Sequence, residues 1–328
     1  MNFAAKIRKK RENFCIFAEK LSDMKLNNRN RRVLVADSGS TKTDWVLLDE
    51  NGRKLFQTQG LNPVLMSEAE IIGILQCELL TEIPTDAPID IHFYGAGIRS
   101  EFVGKMEQAF QQAFAAGSPF AAIGSASATV PPVGGIEGGF FSDLLGAARA
   151  LCGHSEGIAC ILGTGSNSCL FDGEKIVANT PALGYILGDE GSGSALGKAF
   201  LNAIFKGLLP AELRDGFLAE TGLSLDEIIR KVYREPMPNR FLASTSLYIG
   251  RHIDNDALKT LVIDNFRRFF RHNIVPYDRR DLAVNFVGSI ACHYEKLLRE
   301  AAEQEGFQVG KILATPIDAL CEYHKGEA

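Results

Sequence analysis

The sequence contains no apolar run approaching the roughly 18 residues that span a bilayer, so no transmembrane helix and no membrane partner are expected. None of its seven cysteines, Cys15, Cys77, Cys152, Cys160, Cys169, Cys292 and Cys321, forms a C-x-x-C pair. Without that spacing a structural zinc site is not expected. An odd, scattered set of thiols reads instead as reduced and mostly buried, which points to a cytoplasmic protein. There is no excess of positive charge: the formal net charge is -5. Nucleic acid is therefore not the expected partner. The turn Ser38-Gly39-Ser40-Thr41-Lys42 lacks a glycine immediately before Lys42, so it is not a Walker A loop. In Gly163-Thr164-Gly165-Ser166-Asn167-Ser168 a serine stands where a dinucleotide fingerprint has its third glycine, and no helix follows. That excludes Rossmann-type binding.

What remains is a chain of ordinary globular composition. Its 328 residues, 46% hydrophobic and 23% charged, suffice for two medium-sized domains. Charge is unevenly spread. Residues 1–32 hold ten Lys or Arg against three acids. This basic arm has no apolar h-region and does not read as a secretory signal. Phe3, Ile7, Phe14, Phe17 and Leu21 could line one stripe of an amphipathic helix, but the composition reads as a weakly ordered extension.

Strand signals open the globular part. Val33–Asp37 is a short apolar run ending in an acid, and Thr43–Asp49 and Lys54–Thr58 follow it. The Asn51-Gly52 pair marks the hairpin between the last two. Helical spacing then covers Ala69–Leu80 and Glu101–Ala115, with a strand at Ile89–Tyr94 between them. The plan repeats about 125 residues on. Gly157–Leu162, a turn at Gly163–Ser166, Asn167–Phe171, a turn at Asp172-Gly173 and Lys175–Ala178 form a second meander. The repeat predicts an internal duplication. Helices are expected at Ser194–Leu208 and Leu261–Phe270. A strand at Leu282–Val287 breaks at Gly288-Ser289 into a helix reaching about Glu303, and a last helix covers Ile317–Tyr323. Pro131–Gly135 is the most linker-like stretch.

The chemistry lies in the turns. Both meanders turn on residues rich in Gly, Ser and Thr, whose backbone N–H groups and hydroxyls can wrap a polyphosphate. An acid at the end of the first strand, Asp37, can hold Mg²⁺ through water. Asp143 opens a small-residue helix, where the helix N-terminal field favours a carboxylate and where it could act as a general base. Gly184–Ser194 is glycine-dense around the acid pair Asp189-Glu190, either of which could accept hydrogen bonds from sugar hydroxyls. Gly288-Ser289 forms a strand-to-helix turn that an adenosine could approach closely.

In this order the blocks resemble the BadF/BadG/BcrA/BcrD-type ATPases of the actin-like ATPase and sugar kinase superfamily, and among them the bacterial N-acetylglucosamine kinase-like proteins. The resemblance runs from about Val33 to His324. It implies an α/β protein of two actin-like (ribonuclease H-like) domains, each a mixed five-stranded sheet with flanking helices, and a nucleotide cleft between them. The domains would be residues 33–140 and 141–312, with a C-terminal helix in 313–328 packing back on the first. It implies ATP and Mg²⁺ as cofactors, a small amino sugar as substrate and a homodimer as the assembly. Gly39, Ser40, Thr41, Lys42 and Thr164 would bind ATP phosphates, Gly288 and Ser289 the adenosine, and Asp37 the metal. Asn62, Gly165, Asn167 and Asp189 would contact sugar, and Asp143 would be the base. One departure stands out. Gly134, Gly135, Gly138 and Gly139 crowd the stretch before Asp143, and so many glycines are expected to weaken the strand there. Two further functions fit the same fold: an ATPase activating an iron–sulfur reductase or dehydratase, which needs paired cysteines, and a non-catalytic sugar-responsive regulator.

Overall fold

A computed structural model of the chain describes residues 32–39, 41–84, 89–117 and 139–325. Residues 1–31 of the basic arm, Ser40 and the Pro131–Gly135 stretch lie outside the described residues.

The described residues form two compact units. One holds residues 32–143 with the C-terminal His324 and Lys325, and the other holds residues 144–323. In the first, β1 (Arg32–Ser38), β2 (Lys42–Asp49), β3 (Gly52–Gln59), β4 (Ile89–Gly95) and β5 (Gly139–Ser142) form a sheet in the order β3-β2-β1-β4-β5. β1 pairs antiparallel with β2 and parallel with β4. Val33, Leu34, Val35 and Ala36 are all buried, which is why β1 is an unbroken apolar run. β3 is mostly exposed and polar, as suits an edge strand.

The second unit repeats this topology. β6 (Gly157–Leu162), β7 (Ser166–Phe171), β8 (Ile176–Thr180), β9 (Val284–Val287) and β10 (Val309–Leu313) run in the order β10-β9-β6-β7-β8. β6 pairs antiparallel with β7 and parallel with β9. Each sheet thus has an antiparallel meander on one side of its first strand and two parallel strands on the other. Both sheets are mixed and five-stranded, and the repeat in the sequence is a repeat of topology.

Several boundaries differ from the expected ones. The glycines before Asp143 do not prevent a strand: β5 pairs parallel with β4 from His92↔Gly139 to Gly95↔Ser142. Only Gly139 lies within it. Phe140 anchors it, with ring centroids 4.9 Å from Phe110 and 5.7 Å from Phe93. The first helix is Glu68–Ile74, capped by Ser67 and Glu70, and it widens into a π turn at Leu75–Leu79. The wider turn brings Leu75 and Leu79 onto one buried face. The helix after Ser289 breaks at Tyr294, whose hydroxyl donates to the Ser246 carbonyl at 2.6 Å.

Four helices between residues 211 and 251 had no counterpart in the sequence reading: Ala211–Thr221, Leu225–Tyr233, Pro238–Ser244 and Ser246–Arg251. Three of them pack on the helix Gly193–Phe205 around Phe200, Phe217 and Tyr248, and Leu225–Tyr233 packs on Pro238–Ser244. Among the described residues no helix is long and apolar enough to cross a membrane.

Gly197 sits where the helix Gly193–Phe205 meets Pro238–Ser244, and a Cβ there would run into the Leu242 carbonyl. Gly197→Ala should therefore destabilise the protein by about 1–3 kcal/mol, read as a lower thermal midpoint. An unchanged midpoint would contradict this packing.

Candidate functional site

The first hairpin closes with Gly39 N–H donating to the Lys42 carbonyl at 3.0 Å. At its base Ser38 and Thr43 face each other across the ladder, and their buried hydroxyls are 2.8 Å apart. The Lys42 ammonium rests on Asp44, 2.9 Å away. Among the described residues nothing explains the glycine at 39: its φ is not in the left-handed region, and a Cβ would come no nearer than 3.7 Å to the Lys42 carbonyl. That leaves room for a group approaching the backbone.

Asp37 pairs directly across β1 and β2 with Asp44. Burial pushes the Asp37 pKa up to about 7. Asp44 and Asp143 push in the same direction, and Lys42 alone opposes them. Asp143, the first residue of the helix Asp143–Cys152, is thus close enough to Asp37 for the two charges to repel. A divalent cation would favour the charged form of Asp37. Among the described residues, however, no three potential ligands are arranged around one point. Asp37 is the residue that would hold a Mg²⁺ ion here, and the described residues do not supply an all-protein cage.

The segment carrying Asn62 is bound to this hairpin. Gly60 N–H donates to the Thr41 carbonyl at 3.1 Å. The Ser38 hydroxyl accepts from Leu61 N–H at 3.0 Å and lies 3.2 Å from the Leu61 carbonyl. Asn62 Oδ1 accepts from Val64 N–H at 3.0 Å and lies against Gly97, where a Cβ would collide with it. Gly97 also has a φ of +83°, so both its backbone and its contact require glycine. The Lys105 ammonium donates to the Pro63 carbonyl at 2.8 Å and to the Met66 carbonyl. Sequence reasoning missed Ser38, Thr43, Gly97 and Lys105. The only signal available was the Gly95-Ala96-Gly97 turn at the end of a predicted strand.

In the second unit Gly163 N–H donates to the Gly165 carbonyl at 3.0 Å, closing the hairpin that carries Thr164. A Cβ on Gly163 would meet nothing within 4 Å, and its φ is not positive either. Both hairpins therefore begin on a glycine that packing does not require. The Asp189 carboxylate sits on this hairpin: it accepts from Ser166 N–H at 3.4 Å, and a Cβ on Gly165 would be 3.0 Å from it. Asp189 has a φ of +56°, held by its N–H bond to the Ala182 carbonyl at 2.9 Å. Burial raises its pKa, against the Ser166 hydrogen bond. Asn265 clamps the following turn, accepting from Gly191 N–H and donating to the Ser192 carbonyl, both at 3.3 Å. Gly288, with a φ of +128°, abuts the Leu162 carbonyl and Gly163 N–H, so the Gly288-Ser289 turn borders the second hairpin.

Two residues are committed elsewhere. Glu190 bonds His272 at 3.1 Å and Asn273 at 3.5 Å. Burial pushes its pKa up, but these bonds and its own backbone bring the net shift down. Glu190 thus braces the loop, and Asp189 is the acid against the hairpin. Asn167 Oδ1 accepts from Ser168 N–H at 2.9 Å and from Asn179 Nδ2 at 3.0 Å.

Cys160 belongs to the larger core and Cys169 to the core on the other side of the strands. Burial pushes Cys152 up to about 11, Cys169 up to about 12 and Cys160 well above its ordinary value, so thiolates are disfavoured.

The Asp37 environment has a measurable consequence. Its folded pKa of about 7 exceeds the ordinary 3.8. The folded protein then holds this proton more tightly than the unfolded chain, and stability falls as pH rises between those values. Asp37→Asn should raise the thermal midpoint by a few degrees near pH 8 in the absence of nucleotide and metal, with a smaller gain near pH 5. A gain equal at both pH values, or a loss at pH 8, would contradict this environment.

No family model matches the chain, and no curated protein does. Solved structures do. A protein from Porphyromonas gingivalis described as a putative N-acetylglucosamine kinase is 42% identical, with a TM-score of 0.80 over 89% of this chain and 98% of its own. Another so described, from Chromobacterium violaceum, is 16% identical with a TM-score of 0.63, over 90% of this chain and 99% of its own, and shows the fold alone. On the first of these likenesses and the doubled sheet topology, the chain belongs to the N-acetylglucosamine kinase-like family of proteins with the actin-like ATPase fold.

Proposed function

We propose that the chain is an ATP-dependent kinase of a small amino sugar, with N-acetylglucosamine as substrate and its 6-phosphate as product. The observation that carries this reading is the placement of Asp143 beside Asp37, at the foot of a hairpin whose first glycine is left open to a ligand. A phosphoryl transfer needs these groups together: donors for the polyphosphate, an anchor for its metal and a carboxylate for the acceptor proton. The Porphyromonas gingivalis relative described as a putative N-acetylglucosamine kinase supports the substrate class.

In the reaction the backbone N–H groups and hydroxyls of Gly39, Ser40, Thr41, Lys42 and Thr164 hold the phosphates of ATP. Mg²⁺ bound through Asp37 would neutralise charge on the β- and γ-phosphates. The Gly288-Ser289 turn takes the adenosine. Asn62, Gly165, Asn167 and Asp189 orient the sugar hydroxyls, as the resemblance assigns them. Asp143 accepts the proton of the attacking hydroxyl while the bond from the γ-phosphorus to its bridging oxygen breaks and ADP departs. The raised pKa of Asp37 would fall when the metal binds, since a cation stabilises the charged carboxylate.

Asp143→Asn keeps the size and the helix-capping capacity of the side chain, so the fold should survive. Turnover should fall at least about a hundredfold, with KM for sugar and ATP within a few-fold of wild type. A folded variant retaining more than about a tenth of wild-type turnover would remove Asp143 as the base.

A further inference from the structure

We propose that the buried hydroxyl pair Ser38–Thr43 couples the nucleotide hairpin to the Asn62 segment, with Ser38 as a positioning residue for both ligands. This rests on the assignment of the hairpin to ATP and of Asn62 to sugar. Ser38 stands between Asp37 and Gly39. It bonds three separate pieces of chain: its hydroxyl meets Thr43 and Leu61, and its carbonyl accepts from Ala96 N–H at 2.9 Å. Ala96 adjoins Gly97, the glycine against which Asn62 Oδ1 packs.

The pair has more acceptors than protons. Each hydroxyl has one hydrogen to give. Ser38 can donate to the Leu61 carbonyl at 3.2 Å or to Thr43 Oγ1 at 2.8 Å. Thr43 can donate to Ser38 or to the Gln59 carbonyl at 3.1 Å. Oxygens 2.8 Å apart require a proton between them, which leaves two arrangements. In one, Thr43 donates to Ser38 and Ser38 donates to Leu61. In the other, Ser38 donates to Thr43 and Thr43 donates to Gln59, so the Leu61 carbonyl loses its donor. Leu61 N–H bonds Ser38 in both.

Water cannot easily make up the difference. Ser38 is 1% exposed, and Thr43 and Leu61 are 0% exposed, so a lost bond in this pocket leaves an unsatisfied polar group. The two arrangements therefore differ in how firmly the carbonyl preceding Asn62 is held. Thr43 is the first residue of the hairpin's return strand after Lys42, so phosphate bound on Gly39–Lys42 acts directly on the choice. Nucleotide that draws the hairpin onto its phosphates favours the arrangement in which Leu61 is held, and this fixes Asn62 for sugar.

Hydrogen–deuterium exchange over Leu61–Met66, measured with and without the nonhydrolysable analogue AMPPNP and Mg²⁺, tests this in the full chain. In the wild type, nucleotide should slow exchange in this segment by at least about threefold. Thr43→Val removes the second arrangement and leaves Ser38 donating only to Leu61, so exchange without nucleotide should slow to the rate the wild type shows with nucleotide, and the nucleotide effect should vanish. Thr43→Ser restores the hydroxyl and should restore the effect. Ser38→Ala should lose the effect and speed exchange even without nucleotide. A wild-type segment indifferent to bound AMPPNP, or a Thr43→Val protein that keeps the wild-type response, would overturn the proposal. The measurement uses no sugar. A wild type that shows the coupling yet phosphorylates no amino sugar would sink the substrate assignment and leave the coupling standing.

Discussion

Everything else in the protein depends on how the first strand of each sheet is paired. β1 and β6 each have an antiparallel partner on one side and a parallel one on the other. The antiparallel partner must follow through a tight turn, and the parallel partner can return only after a helix-length excursion. A Gly-, Ser- and Thr-rich hairpin is therefore forced to the carboxyl end of the central strand. The ends of the parallel neighbours fall beside it. This is why Ala96 after β4 bonds Ser38, and why Gly288 after β9 lies on Leu162 and Gly163. Burying the apolar run of β1 fixes the sheet, and the sheet fixes the position of Asp37.

That position is electrostatically uncomfortable. Asp37 faces Asp44 across the ladder and feels Asp143, with one lysine to compensate. A sequence selected for stability alone would have little reason to gather these carboxylates. Under the proposed reaction the cost has a purpose, because a bound divalent cation would favour the charged form of Asp37. The second hairpin shows a milder form of the same arrangement, with Asp189 buried against Gly165 and Ser166 in a left-handed conformation that its neighbours enforce.

The parts legible in the sequence were those set by short-range pattern. The two meanders, the Asn51-Gly52 turn and the acid at the end of the first strand follow from alternation, turn chemistry and position. The strand at Gly139–Ser142 was obscured because its glycines argue against it locally, while Phe140 and the β4 ladder outweigh them at long range. Of the four helices from Ala211 to Arg251, Pro238–Ser244 and Ser246–Arg251 are short and have no side-chain cap, so packing defines them more than their own period, whereas the Ser224 and Glu227 capping box before Leu225–Tyr233 was a legible signal that the reading passed over. The roles of Ser38, Thr43 and Lys105 could not be read, and Gly97 showed only as a turn after a predicted strand. Each matters through a partner distant in sequence: Leu61 for Ser38, Gln59 for Thr43, Asn62 for Gly97 and the Pro63 and Met66 carbonyls for Lys105. Glu190 looked equivalent to Asp189 in sequence, and His272 separates the two roles.

The central claim is that γ-phosphate passes from ATP to an amino sugar. Phosphorus NMR of the purified full-length protein with ATP, Mg²⁺ and N-acetylglucosamine observes both products in one spectrum. The account predicts a sugar phosphomonoester appearing in equal amount with ADP, at the 6-position. ADP accompanied only by inorganic phosphate, or no ADP with any member of an amino-sugar panel, would contradict it.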